Sequence, residues 1–218
     1  SAWQRDIAPL GPGNGNTAMV EISSLPPINL SKRLNFLIRY PYGCVEQVTS
    51  SVFPQLMLDR LVELKEQEKA AVDRNIKAGI NRLRNYQLAN GGLGYWPGAN
   101  EANEWGTNYA GHFLLEAQAK GYTLPAGFLE AWLRYQRNTA QNWAPDQYNW
   151  RGGDLVQAYR LYLLALAKAP ELGAMNRLKE FPYLSDEAAW RLAAAYQLAG
   201  QGIVANQLVK NRPTEGKP

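Results

Sequence analysis

Residues 40–47 read Tyr-Pro-Tyr-Gly-Cys-Val-Glu-Gln, and they hold the only cysteine of the 218-residue chain. Pro41 ends one predicted helix, because proline interrupts the helical hydrogen-bond pattern. Gly43 supplies backbone freedom at the entry to a second helix, which is predicted to begin at Cys44. Since side chains at i and i+3 lie on the same face of a helix, Cys44 and Gln47 are expected to meet across one turn.

A thiol next to a carboxamide predicts an internal thioester. Free amides and the dipole at a helix N-terminus favour the thiolate of Cys44, which is the form that attacks a carbonyl carbon. Displacement of ammonia from Gln47 would store an acyl group for an outside nucleophile, as a single-turnover covalent trap and not as an enzyme. Glu46 would bond to the nearby backbone or favour the first helical turn by its charge. Tyr40 and Tyr42 would shield the bond from water.

The residues alone leave two other interpretations open. Cys44 also fits a small, buried apolar side chain, which would leave a non-reactive module that binds through its aromatic surface. Alternatively, Cys44 and His112, the only histidine, would form the nucleophile and base of a hydrolase. His112 aligns with Arg160 and Arg191 in an internal repeat, and this alignment favours a structural polar position on a helix.

The chain divides into an irregular beginning, a helical domain and a polar end. Residues 1–29 are rich in glycine and proline, and we predict an N-terminal arm or linker with one short strand at 17–22. Residues 30–210 show helical periodicity and are predicted to form the main domain. Residues 211–218 are predicted to link it to a following domain.

Apolar residues at helical spacing define the helices of the first half. One predicted helix approaches Pro41, a second spans 44–64 with a bend at Pro54, and a third spans 66–87. The apolar face of the third helix is formed by Val72, Ile76, Ile80 and Leu83. Residues 90–98, Asn-Gly-Gly-Leu-Gly-Tyr-Trp-Pro-Gly, predict a turn.

Three segments rich in alanine and leucine align with one another at 110–122, 158–170 and 189–201. Each segment is a predicted helix that ends in a turn and is followed by another helix. Their uneven spacing argues against an extended solenoid and favours a closed ring of helical hairpins. The predicted fold class is therefore all-α, an α/α toroid with a short irregular or β-containing N-terminal arm.

Composition excludes several classes of function. The net charge is +4, and basic residues are mixed with acidic ones, so the chain has no stripe that would follow a nucleic acid backbone. No apolar run approaches the roughly 20 residues that span a bilayer, and residues 1–20 lack the apolar core of a signal peptide. One cysteine and one histidine cannot form a zinc site by themselves, and no P-loop or dinucleotide motif is present. We therefore expect no cofactor, no metal and no direct membrane contact.

The Gly-Cys-Val-Glu-Gln motif at 43–47 resembles the thioester signature of the alpha-2-macroglobulin and complement superfamily. It is most similar to the form found in bacterial alpha-2-macroglobulins. The turn at 91–96 resembles the Gly-Gly-aromatic-Trp turn of that family, and residues 105–110 are similar to its Trp-x-Thr helix start. The likeness covers about residues 20–205 and is carried chiefly by the Cys-Gln motif.

This resemblance implies the thioester-containing domain of a broad-spectrum protease inhibitor in bacterial defence. In the family, cleavage of a bait region elsewhere in the protein exposes the thioester to a lysine amine of the protease. The amine would attack the acyl carbon of Gln47 and release the thiol of Cys44. The implied partners are target proteases and neighbouring macroglobulin-type domains of the same full-length protein, at a periplasmic or cell-surface location. Complement-type relatives carry a histidine near the position of residues 147–150, which contain none, so transfer to amines is implied.

Overall fold

The computed structural model describes residues 37–144 and 153–214, and the regular secondary structure of these ranges is helical. The elements are α1 (Val45–Val52), a 3₁₀ helix (Pro54–Met57), α2 (Leu58–Leu61), α3 (Glu66–Arg84), α4 (Glu104–Ala119), α5 (Phe128–Asn142), α6 (Gly153–Leu166), α7 (Leu172–Lys179), α8 (Asp186–Leu198) and α9 (Gly202–Val209). None of these helices combines the length and the apolar character that a membrane span requires. The predicted arm at 1–29, its strand at 17–22 and most of the helix before Pro41 lie outside the described residues.

The helices are arranged in two layers, and the predicted all-α toroid is confirmed. Helices α1, α4, α6 and α8 are successive neighbours in the inner layer, where α1 packs on α4, α4 on α6 and α6 on α8. Helix α3 packs against α1, and α5 and α9 cover α6 and α8 respectively. The three repeated segments contribute to α4, α6 and α8, so the repeat detected in the sequence corresponds to the inner helices.

Small side chains allow the inner helices to approach one another closely. Four alanines of α8 are buried, at positions 188, 189, 193 and 195. Helix α6 is buried around most of its circumference, including the charged residues Asp154 and Arg160. The outer helix α3 instead buries one face, and the four apolar residues predicted for that face are all in the core.

The prediction of one bent helix at 44–64 is wrong, because the helix breaks at Pro54. Helix α1 ends at Val52, and Pro54 begins the 3₁₀ helix that leads into the four-residue α2. Proline lacks the N–H that would continue the bonding pattern, and its ring clashes with the preceding turn. The amide Nε2 of Gln55 then donates to the carbonyls of Arg39 at 2.9 Å and Ser51 at 2.7 Å. These bonds fix the segment before Pro41 against the end of α1.

Candidate functional site

Cys44 and Gln47 meet at the N-terminus of α1. Cys44 is the N-cap residue, with extended backbone angles, and Gln47 is the third residue of the helix. The backbone N–H of Cys44 donates a hydrogen bond to Oε1 of Gln47 at 3.1 Å, and the Cys44 side chain faces the backbone amide of Gln47. This is a capping box in which a thiol occupies the position that a serine or threonine hydroxyl normally takes. The structure thus brings together the two residues that the spacing predicted to meet.

The carboxamide of Gln47 packs directly against the Cα atom of Gly43. Its φ angle is +101°, a conformation that strains residues with a side chain. A Cβ atom at this position would lie 2.0 Å from Oε1 and 2.8 Å from the Cδ of Gln47. The sequence indicates the need for backbone freedom at Gly43, whereas the contact with the carboxamide is seen only in the structure. Glycine therefore both shapes the turn and leaves room for the carboxamide of Gln47.

The two members of the pair differ in their access to solvent. Cys44 is buried, with 3% of its surface exposed, whereas Gln47 is exposed. The N–H of Cys44 points at the carbonyl oxygen of Gln47, where negative charge would develop during nucleophilic attack on Cδ. A preorganised donor at such an oxygen stabilises the transition state, and the positive end of α1 adds to this effect. The geometry allows an external nucleophile to reach the carbonyl carbon while the sulfur stays inside.

The turn between α3 and α4 forms hydrogen bonds with the backbone at the start of α1. The buried Tyr86 donates its hydroxyl hydrogen to the carbonyl of Gly43. The N–H of Val45 donates to the carbonyl of Tyr95 at 3.1 Å. Isolated β-bridges, one of them between Gln87 and Leu93, close this turn. The backbone is consequently fixed on both sides of the cysteine by residues that lie far away in the sequence.

Tyr95 is a site residue that the sequence analysis did not single out. Interaction with the Cys44 side chain, chiefly through hydrogen bonding, raises the pKa of Tyr95 above its ordinary value. The charges of Cys44 and Glu46 act in the same direction. The ring is 39% exposed and meets Trp96 edge to face, with centroids 6.0 Å apart. A contact across about 50 positions leaves no periodic signal in the sequence.

The remaining predicted site residues surround this pair in different ways. Glu46 is half-buried in the first turn of α1. Tyr40 and Tyr42 pack against each other with centroids 4.7 Å apart, and the guanidinium of Arg82 lies 5.6 Å from the Tyr42 ring centroid. Both tyrosines are more than half exposed, at 51% and 66%. They lie next to the cysteine in the chain, and their shielding role stays a prediction.

His112 has contacts of its own, away from Cys44. Its Nδ1 is 2.9 Å from the hydroxyl of Tyr159, and its ring packs edge to face against Phe53 at 5.0 Å. The aligned Arg191 lies over the Tyr159 ring at 4.7 Å, so two of the three equivalent positions of the repeat converge on one aromatic cluster. Within the described residues, the structure does not assemble the cysteine–histidine pair that a hydrolase requires.

The burial of His112 makes stability depend on pH. Burial, with the charge of Arg191 as a smaller cause, lowers the pKa of His112 to about 4. The unfolded chain takes up a proton on this histidine below about 6.5, whereas the folded chain stays neutral further down, so acid favours unfolding. We expect the free energy of unfolding to fall by about 1–2 kcal/mol between pH 7 and pH 5, after allowing for partial exposure of the ring. Urea denaturation at the two pH values measures this change.

The control for that measurement is His112→Gln, which does not titrate and can still bond to Tyr159. Its free energy of unfolding should fall less over the same interval, because no other histidine is present in the chain. An equal loss in both proteins would contradict the assignment of the effect to His112.

Across the described ranges, no three His, Cys, Asp or Glu side chains are grouped closely enough to hold a metal ion.

The A-macroglobulin TED domain family matches residues 17–142 of the chain. Alpha-2-macroglobulin of Escherichia coli K12 is 31% identical over 172 residues, which cover 73% of this chain and 10% of that protein. The alpha-2-macroglobulin homolog of Yersinia pestis is 28% identical over 197 residues, which cover 86% of this chain and 10% of that protein. The chain thus spans about a tenth of the length of these relatives.

Solved structures give the same result for the fold. Native Escherichia coli alpha-2-macroglobulin, from domain MG7 to the C-terminus, superposes with a TM-score of 0.68 at 26% identity, over 85% of this chain and 31% of that one. Salmonella alpha-2-macroglobulin reacted with methylamine superposes with a TM-score of 0.69 at 26% identity, over 88% of this chain and 14% of that one. Sequence and fold agree that the chain belongs to the A-macroglobulin TED domain family, as a thioester-containing domain of the bacterial alpha-2-macroglobulin type.

Proposed function

We propose that Cys44 and Gln47 form an internal thioester, through which the domain captures attacking proteases covalently and only once. Members of the alpha-2-macroglobulin family are protease inhibitors and not catalytic enzymes. The observation that carries the proposal is the bond from the Cys44 N–H to Oε1 of Gln47, with the carboxamide lying on Gly43. This arrangement holds a polarised carbonyl within one helical turn of the single thiol of the chain.

Thioester formation follows from this geometry. The sulfur of Cys44 attacks Cδ of Gln47, and the charge that develops on Oε1 is stabilised by the N–H that already contacts it. The carbon–nitrogen bond of the carboxamide then breaks, and ammonia leaves with the proton of the thiol. The products are one thioester and one molecule of ammonia, so atoms and charges balance without an added reagent.

Capture reverses the roles of sulfur and nitrogen. A lysine amine of the protease attacks the exposed acyl carbon of Gln47, the carbon–sulfur bond breaks, and a carbon–nitrogen bond forms. The nitrogen releases one proton to water, and the sulfur of Cys44 becomes a thiol after taking up a proton. The protease ends as an amide of Gln47, and the reaction cannot repeat because the thioester has been consumed.

The surroundings of the pair fit a domain that works inside a longer protein. We place Tyr40 and Tyr42 as shielding residues, because their exposed rings border the N-terminus of α1 and offer apolar surface for a cover. The cover would come from neighbouring macroglobulin-type domains of the full-length protein. Target proteases are the remaining partners, and the location that suits them is the periplasm or the cell surface. Glu46 would support the first turn of α1 by its charge.

Intact mass spectrometry with methylamine tests the proposal. A chain with the thioester is lighter by one ammonia than its sequence requires, and it gains one methylamine while one thiol becomes titratable. Cys44→Ala and Gln47→Glu should abolish both changes. Gln118→Glu makes the same chemical change at an exposed position of α4 and should react like the unmodified chain.

The two alternative interpretations predict different outcomes of this experiment. A non-reactive binding module would fold, keep the full mass and show a free thiol from the start. A hydrolase that depends on His112 would lose its acyl chemistry in His112→Gln, whereas the proposed trap retains methylamine uptake in that variant. Full mass and no uptake, both in this chain and in the full-length protein, would falsify the proposal.

A further inference from the structure

The peptide unit between Gly43 and Cys44 is bonded to a side chain at each of its two polar groups. Its carbonyl, on Gly43, accepts the hydroxyl hydrogen of Tyr86, and its N–H, on Cys44, donates to the carboxamide oxygen Oε1 at 3.1 Å. The unit is trans and planar, so its C=O and N–H point in opposite directions. The bond from Tyr86 to the carbonyl therefore also fixes the direction of the N–H that contacts the carboxamide.

Glycine makes this peptide unit easy to turn over when nothing holds it. Gly43 has no side chain that restricts rotation next to its carbonyl, and its φ of +101° already lies in the region that favours glycine. A turned peptide would point a carbonyl oxygen, instead of an N–H, toward the carboxamide. The next peptide unit is held at both ends by backbone bonds, from its N–H to Tyr95 at 3.1 Å and from Val48 to its carbonyl at 2.9 Å. The orientation of the Gly43–Cys44 unit instead depends on the side-chain partner of its carbonyl.

Tyr86 is a rigid donor to this carbonyl. Its side chain is in the core and 1% exposed. Its own N–H donates to the carbonyl of Leu83 at 3.1 Å, and its carbonyl accepts the N–H of Gly94 at 2.9 Å. Since neither the backbone nor the ring can move freely, the hydroxyl stays at the carbonyl of Gly43. A hydrogen bond to a carbonyl also polarises the attached N–H, which makes that N–H a better donor.

We propose that Tyr86 is a positioning residue that holds the Cys44 N–H toward the carbonyl oxygen of Gln47 during formation and aminolysis of the thioester. The inference rests on the proposed thioester and names a residue outside the Cys-Gln motif that orients its oxyanion donor. When the sulfur or the amine attacks Cδ, charge develops on Oε1, and the N–H that is held there stabilises it. Tyr86 acts through the Gly43–Cys44 peptide and keeps its own proton throughout.

The test compares methylamine uptake by the 218-residue chain and its Tyr86→Phe variant, which keeps the ring and loses the hydroxyl. Intact mass gives the rate constant per thioester-bearing molecule, so incomplete thioester formation does not distort the comparison. We expect a rate constant about tenfold lower, a smaller effect than outright loss of an oxyanion donor, because the N–H remains but is no longer held. A tyrosine that only supports the fold predicts unchanged or faster uptake, since a looser site admits the amine more readily.

The matched control is Tyr196→Phe, which removes a hydroxyl from an equally buried ring. Tyr196 is also 1% exposed, and its hydroxyl donates to Oδ1 of Asn176 at 2.7 Å. Each variant loses one hydrogen bond, so both melting temperatures should fall by a similar amount, a few degrees. Uptake by Tyr196→Phe should match that of the unmodified chain. Equal slowing in the two variants would overturn the inference, because the rate would then follow stability.

NMR spectroscopy observes the oriented N–H directly. Cys44 is the single cysteine of the chain, so labelling cysteine with a heavy nitrogen isotope gives one amide signal. After methylamine treatment, the unmodified chain and Tyr86→Phe both have a free thiol and an uncharged carboxamide at Gln47. The measurement therefore does not require the variant to carry a thioester. We expect the Cys44 N–H to exchange with water about tenfold faster in Tyr86→Phe than in the unmodified chain or in Tyr196→Phe.

The outcomes separate this inference from the proposed function. An uptake rate in Tyr86→Phe that is unchanged or higher would overturn the inference, and so would an unchanged exchange rate of the Cys44 N–H. If Tyr86→Phe carries no thioester, the exchange rate decides. Absence of uptake in the unmodified chain would instead overturn the proposed thioester itself, whereas the exchange rates would still report on the bond from Tyr86.

Discussion

Gly43→Ala is expected to abolish thioester formation while leaving the chain folded. A Cβ at this position would lie 2.0 Å from Oε1 of Gln47, far inside the contact distance of real atoms. The carboxamide is the flexible end of an exposed side chain, so it can swing away without disturbing the core. That movement breaks the bond from the Cys44 N–H and removes the carbonyl carbon from the sulfur. We therefore expect full mass, no methylamine uptake and a free thiol, measured by intact mass and thiol titration.

Gly121→Ala provides the matched control for backbone strain. Gly121 has a φ of +91°, close to that of Gly43, but no atom lies within 4 Å of the place its Cβ would occupy. Both variants should lose about 1–2 kcal/mol of stability from the left-handed conformation. Only Gly43→Ala should lose the thioester. Normal methylamine uptake by Gly43→Ala would contradict the idea that the carboxamide must lie on the bare Cα.

Gly111→Ala is expected to lower the free energy of unfolding by about 2–3 kcal/mol, although alanine favours helices over glycine by about 1 kcal/mol. A Cβ at position 111 would lie 2.2 Å from Cε2 and Cζ2 of Trp132. The indole is fully buried, and its Nε1 donates to the carbonyl of Thr107 at 2.9 Å. It cannot move aside without losing this bond and its packing. Urea denaturation at neutral pH measures the loss, and a melting temperature lower by roughly 5–10 °C should accompany it.

The control for Gly111→Ala is Gly173→Ala in α7. No atom lies within 4 Å of the Cβ position at Gly173, so only the conformational preference changes. We expect a stability that is unchanged or higher by about 0.5 kcal/mol. Loss of stability of the same size in both variants would indicate that α4 and Trp132 are not packed as described.

Local spacing explains which parts of the site could be predicted. The meeting of Cys44 and Gln47 follows from one turn of helix, and the helix start follows from the glycine before it. The buried face of α3 and the three inner helices also leave periodic signals, because burial selects apolar residues at every turn. The fold class could therefore be read from the chain, as the confirmed toroid demonstrates.

Contacts between distant segments account for what the sequence did not reveal. Tyr86 and Tyr95 contact Gly43 and Val45 only because the turn after α3 folds back on α1, and no local pattern encodes that approach. The sequence predicts a bend at Pro54, whereas the helix ends there, because proline can either kink a helix or terminate it. The surrounding packing selects between a kink and an end of the helix. Here the hydrogen bonds from Gln55 to Arg39 and Ser51 favour termination of α1.

The unequal exposure of Cys44 and Gln47 has a consequence for the state that would follow the proposed acyl transfer. Cys44 is buried and Gln47 is exposed, so after the proposed acyl transfer the new amide would project into solvent while the liberated sulfur would stay beneath the surface. Bulky disulfide reagents and cysteines of other proteins would react slowly with that sulfur, because thiol–disulfide exchange requires direct access to it. If the proposed acyl transfer takes place, a domain that has reacted therefore keeps the bound protease without exposing a thiol for cross-linking.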